Sequence, residues 1–182
     1  GVRIEGVHSV YISHQMKFEA GWMSWFLEKG HYWFYKKFDQ VWIPDNPSSE
    51  RLAGKLSQEP KFSSRYIGLL SKAKKIESNK TIPILAILSG PEPQRTFFEE
   101  IIIKQALENN LNVVIVRGKM EPRELTAPNV EMIDLASSEE LGELASKAEV
   151  IICRSGYSSL MDLAIWKNKC LLVPTPGQPE QV

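Results

Sequence analysis

Apolar and polar residues follow two different rhythms along this chain. From residue 81 onward, short unbroken apolar runs alternate with segments of helical period. IPILAIL at 82–88 is apolar throughout, as suits a parallel strand buried on both faces. After a loop, SGPEPQR at 89–95, the residues Phe97, Phe98, Ile101, Ile102, Ala106 and Leu107 return at helical spacing. NVVIV at 112–116 and a shorter run at 130–133 predict two more strands, and Leu141, Leu144, Ala145 and Ala148 mark a helix opened by the capping box Ser137-x-x-Glu140. VIIC at 150–153, a helix over 158–166 and CLLV at 170–173 complete the series. Strands and helices in this alternation imply right-handed βαβ units, and hence an α/β fold with a doubly wound parallel sheet.

The first eighty or so residues lack that regularity. SVYI at 9–12 reads as a strand. An aromatic-dense segment at 18–42, interrupted by Glu28, Lys29, Lys36, Lys37 and Asp39, reads as one or two amphipathic helices around Gly30 and then a strand, QVWIP. Pro and Asn at 44–47 break the pattern, and Ser48 or Ser49 is placed to cap a short helix to about Leu56. The polar, basic stretch 58–80, with an isolated YIGLL, reads as a connection between a first domain at 1–57 and a second at 81–182. A start at Gly1 and a close just after a Pro/Gly-rich loop read as the ends of a fragment, so both domains are expected to be partial.

Composition narrows the partners. Hydrophobic residues make up 43% and charged residues 24%, which is the mix of a packed domain rather than of a disordered chain. With 22 Lys+Arg against 22 Asp+Glu there is no bulk basic field, so nucleic acid is not an expected partner. Cys153 and Cys170 each lie in an apolar run with no CxxC partner, and they read as reduced, buried thiols of a cytoplasmic protein. The histidines, His8, His14 and His31, lie in the first part without metal-ligand spacing, so no metal cofactor is expected. No run approaches the roughly 18 to 20 apolar residues of a membrane-spanning helix. The absence of GxGxxG, GxxxxGK[ST] and GxSxG disfavours a standard dinucleotide fold, a P-loop and a hydrolase elbow.

Candidate chemistry collects where the predicted strands end, because open parallel sheets bind ligands beyond their carboxyl edge. In RSGYSSLMD at 154–162, Arg154, Ser155 and Gly156 turn the chain into a helix whose start holds Ser158 and Ser159. Gly156 allows close approach, and free N–H groups at a helix start favour an anion such as phosphate. Asp162, one turn on, can accept hydrogen bonds from vicinal sugar hydroxyls. A plain helix start, with Ser158 as its cap and Asp162 facing the dipole, fits the same spacing equally well. In the loop 89–95, Gly90 gives room and Arg95 could reach a diphosphate, though Pro-rich loops of this kind are common. The terminal loop PTPGQPEQ at 174–181 concentrates amides and a carboxylate suited to hydroxyl-rich ligands.

The run MIDLASSEELGELASKAEVIICRSGYSSLMDLAIWKNKCLLVPTPGQPEQ at 132–181 resembles the donor-binding half of GT-B glycosyltransferases of family 28. There a strand leads into an R-S-G-x-x-[ST]-x-x-E helix start, then a strand and a P-x-x-x-x-x-Q loop. Within the family the chain is most similar to members that add N-acetylglucosamine to the lipid-linked precursor of bacterial peptidoglycan. The resemblance is fair back to Ile82 and looser over residues 1–80. It implies a GT-B-like pair of Rossmann-type domains, with the rear of the acceptor-side domain first and most of the nucleotide-sugar domain after it.

By position, the resemblance places the diphosphate of a UDP-sugar at Arg154, Ser155, Gly156, Ser158 and Ser159. Asp162 would hold the ribose, backbone near Ile133 the uracil, and Glu180 and Gln181 the donor sugar. Asp162 replaces the usual Glu, and SGPEPQR with Gly90 and Arg95 replaces a Gly-rich loop. The implied reaction is transfer of a sugar, N-acetylglucosamine by resemblance, to a hydroxyl acceptor with inversion and without a metal. The base is expected upstream of Gly1, with His14 as a substitute, and the fragment alone is expected to be inactive. No motif in the sequence names the acceptor; the resemblance leaves room for a lipid-linked one and for peripheral contact at the inner face of the membrane. Trp22, Trp25, Phe26, Trp33, Phe34 and Phe38 serve either the first domain's core or such a lipid-facing surface. Two other readings stay open: a noncatalytic nucleotide-sugar-binding subunit of a split glycosyltransferase, and a UDP-sugar 2-epimerase.

Overall fold

The short apolar runs in the second half of the chain do become a parallel sheet, with helices between its strands. The computed structural model describes residues 6–17, 24–48, 50–58, 63–123 and 127–178, with 24–28 described by backbone alone. The chain forms two units, residues 1–70 and 71–182.

The first unit holds β1 (Val10–Ile12), α1 (Ser24–Tyr35), β2 (Gln40–Ile43) and β3 (Ser64–Tyr66). Its strands are all parallel in the order β1-β2-β3, with Val10 opposite Gln40 and Val41 opposite Ser64. β3 falls inside the stretch read from sequence as a connection, because three residues with one aromatic, SRY, carry too little pattern to be seen. α1 is one helix that runs through Gly30. Met16, Tyr35, Val41 and Ile43 form the core, with Tyr11 and Tyr66 packed against it. Burial raises the Tyr35 phenol to about 12, and its hydroxyl donates to the Gln15 carbonyl at 2.9 Å.

The aromatic segment divides between core and surface. Phe34 and Phe38 make edge and tilted contacts with Tyr11, yet Trp33 is 67% exposed, with the Lys37 ammonium 3.6 Å above its ring. Trp33 is therefore not a core residue; Trp22 and the side chains of Trp25 and Phe26 lie outside the described set. The helix expected at 48–56 is also corrected. Residues 52–57 are turns gathered on Asp45, which is fully buried and accepts hydrogen bonds from Asn46 N (2.8 Å), Leu52 N (2.9 Å), Ala53 N (3.0 Å) and Ser57 Oγ (2.6 Å). A carboxylate satisfying amides at this spacing competes with the i→i−4 bonds a helix needs.

In the second unit, β4 (Ile82–Ile87), α2 (Gln94–Glu108), β5 (Val113–Val116), β6 (Val130–Ile133), α3 (Ser138–Lys147), β7 (Ala148–Arg154), α4 (Tyr157–Trp166) and β8 (Lys169–Val173) follow the expected alternation. The five strands are parallel in the order β6-β5-β4-β7-β8. Alternate residues feed two cores. Ala86, Val113 and Ile115 pack under Phe98, Ile102, Ile103 and Ala106 of α2, while Leu85, Val116, Ile151 and Cys153 pack with Ala145 of α3 and Leu163 of α4. The capping box is present, with Ser137 Oγ accepting from Glu140 N at 3.2 Å and Glu140 Oε2 accepting from Ser137 N at 2.7 Å.

Two expectations about burial shift. The buried stripe of α2 uses Phe98, Glu99, Ile102, Ile103 and Ala106, leaving Phe97, Ile101 and Leu107 exposed. Cys170 is exposed because β8 is the edge strand, whereas Cys153 is buried and burial lifts its thiol to about 12. Residues preceding β4 lie along α3 and α4: Lys80 Nζ donates to the Ser146 carbonyl at 2.8 Å, and Ser71 donates to Asp162.

Candidate functional site

The strand order fixes where a ligand can enter. β4 continues through α2 to β5 on one side, while β7 lies on its other side, so the carboxyl ends of β4 and β7 flank the point where the winding reverses. The β4–α2 loop and the β7–α4 turn open there.

At the end of β7, Arg154 is 6% exposed. Its Nη1 donates to the Pro174 carbonyl at 2.8 Å and its Nη2 to the Gln94 carbonyl at 3.1 Å, while the guanidinium stacks 4.3 Å from the Phe98 ring centre. Only carbonyls and a ring thus face this cation among the described residues, and burial lowers its pKa. Ser155 is buried beside it. The helix then starts one residue earlier than expected, with Gly156 rather than Ser158 as N-cap and no side-chain capping bond. Ser158 is exposed and Ser159 half-buried in the first turn, whose amides have no intrahelical acceptor. Gly156 has an ordinary φ of −71, and a Cβ there would meet nothing within 4 Å. Folding does not require glycine at this place, and the space beside the helix start is open. Asp162 is half-buried and accepts from Ser71 Oγ, which itself accepts from Ala73 N at 2.9 Å.

The β4–α2 loop is differently equipped. Gly90 has φ +98, a conformation that favours glycine. Arg95 is spent within the protein, donating to the Gly118 carbonyl at 2.7 Å and to Glu92 at 3.2 Å. Glu92 also takes Lys119 Nζ at 2.7 Å and Thr96 Oγ1 at 2.7 Å, and those bonds pull its carboxyl down to about 2. The anion at the start of α2 is thus the chain's own.

A third cluster was not anticipated from sequence. Arg117, just past β5, is 5% exposed and donates to both oxygens of Glu99 at 3.2 Å, to Asp134 Oδ1 at 2.5 Å and to the Glu121 carbonyl at 2.7 Å. Burial opposes its charge, but Asp134 and Glu99 outweigh that and raise its pKa. The one available signal was position: Arg117 and Asp134 each directly follow a strand.

The remaining candidates spread out. Ile133 ends β6, half-buried, and its carbonyl accepts from Arg117 N at 2.8 Å. Glu180 and Gln181 lie outside the described residues. His14 is half-buried in the first unit and has contacts of its own. A cleft of about 370 Å³ opens at the opposite, amino end of the second sheet, between Thr81, Asn112, Asn129 and Glu131, and takes no part in this edge.

Residues 85–182, more than half of the chain, match the glycosyltransferase family 28 C-terminal domain. The chain belongs to that family. Arg154, Gly156 and the α4 start all lie inside the family 28 match. Among solved structures the chain is similar to the glycosyltransferase of kitacinnamycin, at 13% identity and a TM-score of 0.54 over 80% of this chain and 39% of that one. It is also similar to the spinosyn forosaminyltransferase SpnP, at 17% identity and a TM-score of 0.53 over 96% of this chain and 53% of that one. The family 28 chain thus spans about two fifths to one half of those proteins, and the likeness is one of fold, GT-B-like. No curated protein sequence matches it. No helix among the described residues is long and apolar enough to cross a membrane.

Proposed function

We propose that the second unit carries the donor site of a glycosyltransferase, binding the diphosphate of a UDP-sugar between the start of α4 and Arg154. The observation that carries this reading is the buried Arg154 cation, which has no carboxylate partner among the described residues, followed two residues on by an uncapped helix start where glycine leaves space. Arg117 and Arg95, on the same edge, are each neutralised by acids. Helix N–H groups and one arginine can stabilise a departing diphosphate electrostatically. An inverting transfer also needs a base for the acceptor hydroxyl. The N-acetylglucosamine donor rests on the resemblance carried by the RSG helix start and the Pro- and Gln-containing loop at 174–181.

Calorimetric titration tests the assignment. UDP is expected to bind at least tenfold more tightly than uridine, a difference of about 1.4 kcal/mol. Gly156→Ala should weaken UDP about tenfold and leave both uridine binding and the melting temperature unchanged. Equal affinities of the wild type for UDP and uridine would remove the diphosphate from this site.

A lipid-linked acceptor is the finer reading favoured by Trp33, an exposed indole with flanking Lys36 and Lys37. Co-sedimentation with anionic vesicles should fall at least twofold in Trp33→Ala. Unchanged sedimentation of that variant counts against it.

A further inference from the structure

The chain that joins the two units is tied down at few points, and one of them is a single side-chain pair. On the side of the first unit the last backbone bonds run from Ile67 N to the Ile43 carbonyl at 3.0 Å and from Gly68 N to the Asp45 carbonyl at 3.3 Å. On the side of the second unit the first tie is Ser71, whose hydroxyl donates to Asp162 on α4. Leu69 and Leu70 lie between these two points.

Ser71 is held ready for that contact. Its Oγ accepts from Ala73 N at 2.9 Å, a local turn that fixes the hydroxyl. A serine hydroxyl has one proton to give, and a carboxylate accepts it. Among the described residues the next backbone bond to the second unit comes at Thr81, whose N donates to the Lys147 carbonyl at 3.0 Å. Residues 72–80 form neither helix nor strand. They meet the second unit through side chains: Ile76 Cδ1 lies 3.9 Å from the place that a Cβ on Gly142 would take, and Lys80 Nζ donates to the Ser146 carbonyl at 2.8 Å.

These ties set a length. An extended chain spans roughly 3.3 to 3.6 Å per residue, so the step from Gly68 to a held Ser71 covers at most roughly 10 Å. With Ser71 released, the next backbone bond is at Thr81, a reach of roughly 45 Å. The effective concentration of one tethered unit at the other falls steeply as such slack is gained. Little apolar surface would hold the released segment down, since its residues from Lys72 to Lys80 are exposed apart from Ala73.

We propose that Ser71 and Asp162 form a latch that confines the hinge between the two units to Leu69 and Leu70. Breaking the latch converts this short hinge into a tether over residues 69–80. Asp162 is in this respect a positioning residue, acting through the chain that Ser71 anchors.

Two measurements on the full chain test the latch. Lys72, Lys74 and Lys75 are exposed, so trypsin reports whether the backbone around them can leave the surface. Ser71→Ala should raise the rate of cleavage there at least fivefold. The second readout is the distance between a spin label on Cys170, exposed on β8, and one introduced in the first unit with Ser48→Cys. Cys153 is buried with its thiol protonated and does not take the label. In Ser71→Ala the width of that distance distribution should at least double. Asp162→Ala should match Ser71→Ala, and the double variant should exceed neither, because the same bond is lost in all three. Ser71→Thr keeps the hydroxyl and should retain the wild-type pattern. Wild-type cleavage and distances in Ser71→Ala overturn the proposal, whether or not the melting temperature falls. So do effects of Ser71→Ala and Asp162→Ala that add in the double variant, which would show the two side chains acting apart.

Discussion

Arg154→Met is expected to lower UDP affinity at least a hundredfold, about 2.7 kcal/mol, while uridine binding changes little. Methionine fills much of the same volume and can still pack on Phe98, so the substitution removes charge and directed donors more than shape. Two things are lost together. The buried cation at the end of β7 disappears, and the carbonyls of Pro174, just past β8, and Gln94, at the start of α2, lose the donors that tie them to β7. Hydrogen bonds to a charged group contribute roughly 1.5 to 3 kcal/mol each, and part of that loss will appear as lower stability. Thermal melting beside calorimetry separates the two, since a purely structural clamp would lower the melting temperature and affect uridine and UDP alike. Arg154→Lys should fall between, near tenfold, because an ammonium restores the charge but cannot span both carbonyls. Wild-type UDP affinity in Arg154→Met would mean that the counter-charge for a diphosphate lies elsewhere.

That prediction was half visible in the residues themselves. An arginine at the end of an unbroken apolar strand, followed by Ser-Gly and a helix, fits an anion site and fits a plain helix start equally well. What the chain did not reveal is which arginine stays uncompensated. Glu99 and Arg117 are 18 positions apart, and Arg117 and Asp134 are 17 apart, so each reads singly as a solvated charge. Only the parallel register, which brings the ends of β5 and β6 side by side, makes them a cluster.

The helices show the same division. Apolar runs at 82–88 and 150–153 were enough to place β4 and β7, and a Ser-x-x-Glu capping box was enough to start α3. On α2 the pairs Phe97-Phe98 and Ile101-Ile102 leave the period unable to say which member faces the sheet; packing chose the second of each. At α4 two serines argued for a cap at 158, yet the backbone turned into the helix at Gly156, whose extended ψ of 143 suits an N-cap without a side chain. Residues 48–57 misled for another reason. A buried carboxylate upstream claimed their amides before a helix could use them.

That carboxylate carries the largest expected effect on stability. Asp45→Ala should destabilise the first unit by about 3 kcal/mol or more, since each part-buried donor left without an acceptor costs roughly 1 to 3 kcal/mol and four donors converge on this side chain. Against a typical total of about 5 to 15 kcal/mol for a folded domain, that loss is a large share of the stability. Trp22, Trp25, Trp33 and Trp42 lie in this unit and only Trp166 in the other, so tryptophan emission in a urea titration reports chiefly on it. The midpoint should fall sharply in the variant, and an unchanged midpoint would show that water replaces the carboxylate without loss. Acid provides the matching test. Burial pushes the Asp45 carboxyl up, but the bonds from Ser57, Ala53, Leu52 and Asn46 outweigh it and leave it below the ordinary aspartate value. A carboxyl depressed on folding contributes stability that is fully present above the unfolded value, roughly 3.9, and is lost as pH falls through the lower folded value. The urea midpoint of the wild type should therefore decline below about pH 4, and Asp45→Ala should lose that part of the acid limb that belongs to this one group.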